Sequence, residues 1–176
     1  LSSIFTKEQH PNLVTFILEL LDGRIAVGCC GGTISLNQMN YETKEWTVLT
    51  QKNNAHDDTI ASLCEINNKR IISSSDDKTI KVWNVSSNND IQLLKTLTEH
   101  KGEVDKVITL TLNRFASCSY DNGIVKLWNS DTYELIPIPF EKQTYPWSLL
   151  QLKRQREVLV VSCCSTKNQS LRFYQL

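Results

Sequence analysis

Three histidines recur at a nearly constant spacing along this chain of 176 residues, and this repeat constrains the fold more than any other feature. The histidines lie 46 and 44 residues apart, and each is followed, fourteen residues later, by an arginine that opens an apolar segment. The pairs are His10 with Arg24, His56 with Arg70, and His100 with Arg114. A fixed period of about 45 residues predicts supersecondary units that stack on one another.

Each repeat continues with a tight turn and a second apolar segment. The turn residues are Gly31, Asp77 and Asp121, and the second segments end at Asn37, Trp83 and Trp128. We therefore divide the chain into four repeats, at residues 10–55, 56–99, 100–142 and 143–176. Residues 1–9 resemble the segments that precede the other two histidines, and we expect them to form an outer strand of a preceding or closing unit.

The segments within each repeat are typical of β-strands. RIISSSDDKTIKVWN at 70–84 and EVLVVSCCS at 157–165 are rich in Ile, Val and Ser, and turns containing Asp, Asn or Gly separate such segments along the chain. Short β-branched runs interrupted by these residues are typical of antiparallel hairpins. Because each repeat has room for four short strands, we predict an all-β fold.

The repeat resembles the WD-repeat β-propeller family, whose blades carry Gly-His near their start and Trp-Asp at the end of their third strand. Here the pairs are Gln-His, Ala-His and Glu-His at the start, and Trp-Asn at 83–84 and 128–129. The match extends over the whole chain and is strongest over residues 56–129. The resemblance implies four-stranded antiparallel blades, about four in this chain. Since the family usually closes its ring with more blades, we expect a part of a larger propeller.

The resemblance also implies a buried hydrogen-bonded chain of four side chains in the second and third repeats. An indole N–H donates, a hydroxyl and an imidazole each donate and accept, and a carboxylate accepts, so these groups can bond in series. The two sets are His56, Ser73, Asp77 and Trp83, and His100, Ser117, Asp121 and Trp128. The first repeat has Gly31 and Asn37 at the Asp and Trp positions, and the fourth has no histidine. We expect those two blades to be held by apolar packing.

In the same family, peptides contact positions on one face of the ring, next to the innermost strand and before the turn aspartate. Carried across, these positions mix carboxylates with aromatic side chains. They are Thr59, Ala61, Asp76, Glu103, Asp105 and Tyr120, and in the fourth repeat Pro146 and Ser148, beside Tyr145 and Trp147. The set fits a peptide with a basic side chain and an apolar anchor. The alternatives are that Asp76 caps its own turn and that Trp147 belongs to the core.

We therefore expect a non-catalytic scaffold that binds peptide segments of other proteins and supports the assembly of complexes. The alternative is a regulatory or targeting part of a multidomain enzyme such as a kinase or ubiquitin ligase. The spacing supports no catalytic triad, paired carboxylates, metal site or cofactor site, because the three histidines are spread around the ring. Nineteen basic residues balance nineteen acidic ones, so we expect neither nucleic acid nor a membrane as a partner.

Two further expectations concern how the ring is closed and in which compartment the protein is located. Four blades leave open whether the ring is closed by further blades, by a second copy, or by the chain alone as a four-bladed ring. The six cysteines contain no Cys-x-x-Cys pair and are mostly embedded in apolar strands. Buried thiols of this kind are typical of a reducing compartment, so we expect a cytoplasmic or nuclear location.

Overall fold

A computed structural model describes residues 12–66, 70–120, 123–137, 146–152, 158–163 and 170–176. The outer strand expected at residues 1–9 lies outside these ranges, and so do His10, Asp121 and Tyr145. Over the described ranges the chain contains β-strands and no helix. In these ranges there is therefore no helix that is long and apolar enough to cross a bilayer.

Fifteen strands form four antiparallel sheets in the described residues, and each sheet is built from strands that follow one another along the chain. Sheet 1 contains β1 (Val14–Glu19), β2 (Ile25–Cys29), β3 (Ile34–Asn40) and β4 (Glu45–Lys52). Sheet 2 contains β5 (Ile60–Ile66), β6 (Arg70–Ser75), β7 (Ile80–Val85) and β8 (Ile91–Leu97). Sheet 3 contains β9 (Lys106–Leu110), β10 (Arg114–Ser119), β11 (Ile124–Asn129) and β12 (Leu135–Ile136). Sheet 4 contains β13 (Pro146–Gln151), β14 (Val158–Cys163) and β15 (Ser170–Gln175). The predicted all-β class is confirmed.

The sheets are arranged like the blades of a propeller. The first strand of each sheet packs against the first strand of the next, in the order β1, β5, β9 and β13. The second and third strands of each sheet follow outward from it, so each sheet is a radial wedge. We call the end that carries the turns between second and third strands the top face, and the opposite end the bottom face.

One row of side chains in each sheet forms the contact with the sheet that follows. In sheet 1 the row is Leu18, Ala26 and Leu36, in sheet 2 it is Cys64, Ile72 and Val82, and in sheet 3 it is Ile108, Ala116 and Leu127. These rows pack on residues from the second and third strands of the next sheet, namely Ile71 and Trp83, Phe115 and Trp128, and Leu159 and Tyr174. Full burial of one such side chain stabilises the fold by about 1.5–3 kcal/mol.

The corresponding row of sheet 4 is Leu150, Val160 and Phe173. Phe173 is 63% exposed, whereas Leu36, Val82 and Leu127 are buried at the same position of sheets 1 to 3. Leu150 is 59% exposed, whereas its equivalents Leu18, Cys64 and Ile108 are partly or fully buried. Leu171, on the same face, is exposed as well. We call these four residues the end face of sheet 4.

Candidate functional site

In sheet 2, four side chains form one continuous hydrogen-bonded chain. The Trp83 indole donates to Ser73 Oγ at 2.8 Å, and Ser73 Oγ lies 2.6 Å from Nε2 of His56. Nδ1 of His56 lies 2.7 Å from Asp77 Oδ2. Since the indole can only donate and the carboxylate only accepts, the hydroxyl donates to Nε2 and the Nδ1–H donates to Asp77. The chain connects the loop before β5 with β6, β7 and the turn between them.

The charge state of this chain follows from its surroundings. Burial disfavours an ionised Asp77, but hydrogen bonds from His56 and Thr79 outweigh burial and hold its pKa well below the usual range. Burial lowers the pKa of His56 and outweighs the attraction of Asp77. The imidazole is therefore neutral at pH 7 and the carboxylate ionised. His56 is only 1% exposed, so a dissolved substrate cannot reach its imidazole.

In sheet 3, the tryptophan, serine and histidine form the same hydrogen bonds as in sheet 2. Trp128 donates to Ser117 Oγ at 2.9 Å, and this hydroxyl lies 2.7 Å from Nε2 of His100. Nδ1 of His100 is buried without a hydrogen-bond partner among the described residues, which do not include Asp121. Burial, together with the charge of Lys126, lowers the pKa of His100 to about 3. This imidazole is neutral at pH 7 too.

Sheet 1 has a smaller polar pair at the same level. Asn37, at the tryptophan position, donates from Nδ2 to Ser35 Oγ at 3.0 Å and to the carbonyl oxygen of Ile25 at 3.2 Å. In sheet 4 the position belongs to Tyr174, which packs in the apolar cluster between sheets 3 and 4. Apolar packing was the expectation for both of these blades, and in sheet 1 the Asn37–Ser35 pair adds to it.

The top face brings acidic side chains together where sheets 2 and 3 meet. The backbone N–H of Val104 donates to the carbonyl oxygen of Ser75 at 3.0 Å, so the loop before β9 lies beside the turn after β6. This contact sets Glu103 and Asp105 next to Asp76. Burial and the charges of Glu103, Asp58 and Asp105 together raise the pKa of Asp76. We call Asp58, Asp76, Glu103 and Asp105 the carboxylate cluster.

An aromatic pair adjoins the carboxylate cluster. A carboxylate oxygen of Asp105 accepts the backbone N–H of Tyr120 at 2.6 Å. The Tyr120 ring meets the Trp147 ring edge to face, with the centroids 5.7 Å apart and the planes at 85°. Trp147 is 63% exposed, so it is not a core residue. The top face therefore combines negative charge with an accessible aromatic surface across sheets 2, 3 and 4.

The strand register corrects one equivalence inferred from the sequence. Pro146 pairs with Cys163 as Ile60 pairs with Ser75, and in both strands a bulge follows. Trp147 is therefore the equivalent of Ala61, whereas the sequence suggested Ser148. The fourth repeat has no histidine from which this register could have been counted. Asp58 is the one member of the carboxylate cluster that the family resemblance does not select, although it lies directly before Thr59, which is selected.

Most cysteine thiols of the described residues are poorly placed for reactivity, because Cys29, Cys64 and Cys118 are buried. Burial raises the pKa of the Cys64 thiol to about 12, and it also raises the pKa values of Cys29 and Cys118. Thiols of this kind react poorly, because the thiolate is the reactive form. No group of three or more His, Cys, Asp or Glu side chains suited to holding a metal ion occurs in the described part of the chain.

Comparisons with known proteins agree with this architecture. Residues 47–84 and 91–129 match the family model described as WD domain, G-beta repeat. The chain is 39% identical over 80 residues to the protein transport protein SEC13 of Candida albicans, an alignment that covers 43% of this chain and 26% of that protein. Two solved structures are similar in fold: a chain of the mitotic checkpoint complex, with a TM-score of 0.73 and 19% identity, and U3-55K, with 0.78 and 20%. Each alignment covers 96% of this chain, which spans about half of those chains (49% and 50%).

Proposed function

Because this chain belongs to the WD-repeat family and has its β-propeller fold, we propose that it is a non-catalytic scaffold that binds peptide segments of other proteins on its top face. The observation that carries the proposal is the carboxylate cluster beside the exposed Trp147. Two proteins similar to this chain are named for a transport role and for membership of a complex, which supports a role in assembly.

The chemistry of the top face selects a basic peptide. Four neighbouring carboxylates repel one another, and the raised pKa of Asp76 reflects burial and that repulsion. A lysine or arginine side chain would relieve the repulsion and form charge-assisted hydrogen bonds. The net charge of the whole chain is zero, so this attraction is local.

The aromatic pair supplies an apolar anchor next to that charge. Trp147 offers a large exposed ring, and Tyr120 holds it from the side. Exposed aromatic side chains beside charged groups are frequent hot spots of interfaces. We therefore propose a ligand whose basic residue contacts the carboxylate cluster and whose apolar residue packs on Trp147. Tyr145, adjacent in sequence, remains a candidate contact outside the described residues.

A positional-scanning library of soluble hexapeptides tests this function. We expect Lys or Arg to be selected at one position and an apolar residue at another, and Glu103→Gln with Trp147→Ala to abolish this selection. Glu42→Gln is the matched control, because Glu42 is an exposed carboxylate in the β3–β4 turn on the bottom face. Selection of acidic peptides, or equal selection by the double variant, would contradict the proposal.

We also propose that further blades cover the end face of sheet 4. The same row is covered by the following sheet at each of the three junctions within the chain, and the solved neighbours are about twice as long. If a second copy covered the end face with its sheet 1, the contact would use the face of sheet 1 that carries Val27 and Asn37. Both side chains are already buried, so this face is not available. These contacts favour further blades over a second copy.

An extended chain tests the covering of the end face. In the extended chain, a copy of residues 86–137 follows Leu176, so that copies of Phe115 and Trp128 can pack on the end face. We expect backbone hydrogen exchange in β14 to slow at least tenfold, and to return to its original rate when the copied Trp128 is replaced by Ser. Unchanged exchange would refute the proposal. A dimer of the unextended chain that Phe173→Asp dissociates would instead identify a second copy as the cover.

The location proposed for the chain is intracellular and reducing. Buried thiols such as Cys64 and Cys118 support it, because they are kept as core residues in such compartments.

A further inference from the structure

Two of the three repeated arginines, Arg24 and Arg70, join neighbouring sheets on the bottom face. Nη1 of Arg24, in sheet 1, donates to the carbonyl oxygen of Ser86 at 2.9 Å and to Asn89 Oδ1 at 3.0 Å, both in the turn between β7 and β8 of sheet 2. Asp22 orients the guanidinium through its Nε and Nη2 groups, at 3.0 and 2.7 Å. Arg24 is only 8% exposed, so these bonds are formed in a largely dry environment.

The second arginine forms the same kind of contact with the next sheet. Nη1 of Arg70 donates to the hydroxyl of Tyr133 at 2.7 Å, in the turn between β11 and β12 of sheet 3. Tyr133 and Asn89 hold equivalent positions, because both have a left-handed backbone, with φ of 60° and 62°. The N–H of each closes its turn on an earlier carbonyl, of Asn129 and Ser86 respectively. In both junctions the left-handed residue of the turn supplies the oxygen.

The third arginine has no such oxygen. Nε of Arg114 lies 3.4 Å from the carbonyl oxygen of Thr111, and its Nη2 is buried without a hydrogen-bond partner among the described residues. Leaving a donor of a charged group buried and unpaired is costly. The register indicates where an acceptor would lie: Val158 pairs with Gln175 at the positions where Arg70 pairs with Asn84, so a turn equivalent to Ser86–Asn89 would come directly after Leu176.

We propose that Arg114 is the binding site for a polypeptide turn that continues from β15 and presents a side-chain oxygen from a left-handed residue. The turn chemistry is that of Ser86–Asn89, with Asn or Tyr at the left-handed position. The corresponding turn of sheet 1 does not fit, because its left-handed residue is Lys44, which can only donate. The site therefore selects the turn of a particular blade and excludes the β3–β4 turn of a second copy.

A short extension isolates this site from the rest of the ring. Ser-Ser-Asn-Asn-Asp, a copy of residues 86–90, is added after Leu176, and its matched control is Ser-Ser-Asn-Gly-Asp. Glycine retains the left-handed backbone and removes only the oxygen. We expect the Asn form to raise the melting temperature by at least about 2 °C over the Gly form, and we expect Arg114→Met to remove this difference. The Nε–H resonance of Arg114 should also shift with the Asn form alone.

The internal junctions provide a second test that needs no extension. Arg70→Met and Tyr133→Phe should be non-additive in a double-mutant cycle of melting temperatures, as should Arg24→Met and Asn89→Gly. Additive effects at both junctions, or an Asn form that behaves like the Gly form with Arg114 intact, would overturn the proposal. Peptide binding on the top face is measured separately, so failure here leaves the proposed function standing.

Discussion

Tyr120 and Trp147 contact each other edge to face at 5.7 Å, although they belong to different sheets and lie 27 residues apart. Tyr120 follows β10 and Trp147 lies at the bulge of β13, so the pair spans the top of the junction between sheets 3 and 4. A carboxylate oxygen of Asp105 accepts the backbone N–H of Tyr120. These two contacts connect the aromatic pair to the carboxylate cluster.

Trp147→Ala should weaken peptide binding at least tenfold and leave the protein almost as stable as before. The ring is mostly exposed, so its loss removes little buried area from the fold. Isothermal titration with the selected peptide, together with chemical denaturation, checks both parts. Asp105→Ala is a poorer probe, because it also removes the acceptor of the Tyr120 N–H. An unchanged affinity would show that Trp147 lies outside the interface.

Binding of the basic peptide should weaken as salt is added. The carboxylate cluster is partly solvent-exposed, and the Debye length falls from about 10 Å at 0.1 M salt to about 3 Å at 1 M. Affinities measured across this range check the expectation, with Asp76→Asn reducing the salt dependence. A salt-independent affinity would mean that the ligand is held by Trp147 and Tyr120 alone.

Asp77→Ala should destabilise the protein by about 1–3 kcal/mol, because it removes the carboxylate that accepts hydrogen bonds from the buried His56 imidazole and from the N–H and hydroxyl of Thr79. Chemical denaturation gives the value directly. Ser86→Ala is a suitable control, since Ser86 lies on the bottom face and its hydroxyl accepts only the backbone N–H of Asp90 among the bonds observed. Equal denaturation midpoints for Asp77→Ala and the parent would remove the hydrogen-bonded chain as a source of stability.

Stability should decrease as the pH falls below about 6.5, because both buried histidines have lowered pKa values in the folded state. The unfolded chain binds protons near pH 6.5, whereas the folded chain keeps His56 and His100 neutral. Each histidine therefore stabilises the fold fully above about pH 6.5, and this contribution declines by roughly 1.4 kcal/mol per pH unit. For His100 the decline continues to a pKa of about 3. Denaturation at pH 5 and 7 checks this, and His100→Gln should reduce the slope.

Gly32→Ala should destabilise the protein more than Gly23→Ala. Both glycines have a left-handed backbone, with φ of 72° and 84°. A Cβ added at Gly32 would lie 1.9 Å from the carbonyl oxygen of His56, whereas one added at Gly23 meets no atom within 4 Å. Gly23→Ala should cost about 1–2 kcal/mol from backbone strain alone, and Gly32→Ala adds the displacement of the His56 loop. Melting temperatures of the two variants give the comparison, which equal losses would contradict.

The hydrogen-bonded chain of sheet 2 could be expected from the sequence through its resemblance to the WD-repeat family, since the matching residues all lie within one repeat. The structure brings His56, Ser73, Asp77 and Trp83 together. The repeat boundaries themselves remain a division based on sequence. The described sheets lie within them.

The contacts between repeats could not be predicted in the same way. The Arg70–Tyr133 bond joins residues 63 apart, and it depends on the left-handed backbone of Tyr133, an uncommon conformation for an aromatic residue. The outward position of Trp147 depends on a β-bulge in β13. The fourth repeat has no histidine from which the strand register could be assigned in the sequence. The clustering of Asp58 with Glu103 depends on how two sheets meet, which no single repeat encodes.

Each sheet is made from one uninterrupted stretch of chain. In the packed pairs of strands described above, each sheet contacts only the sheet before it and the sheet after it along the sequence. Mechanical and thermal disturbances should therefore spread by steps from one wedge to its neighbour, not across the whole assembly at once. The outermost wedges, which have a neighbour on one side only in the described residues, are the natural places for unfolding to start.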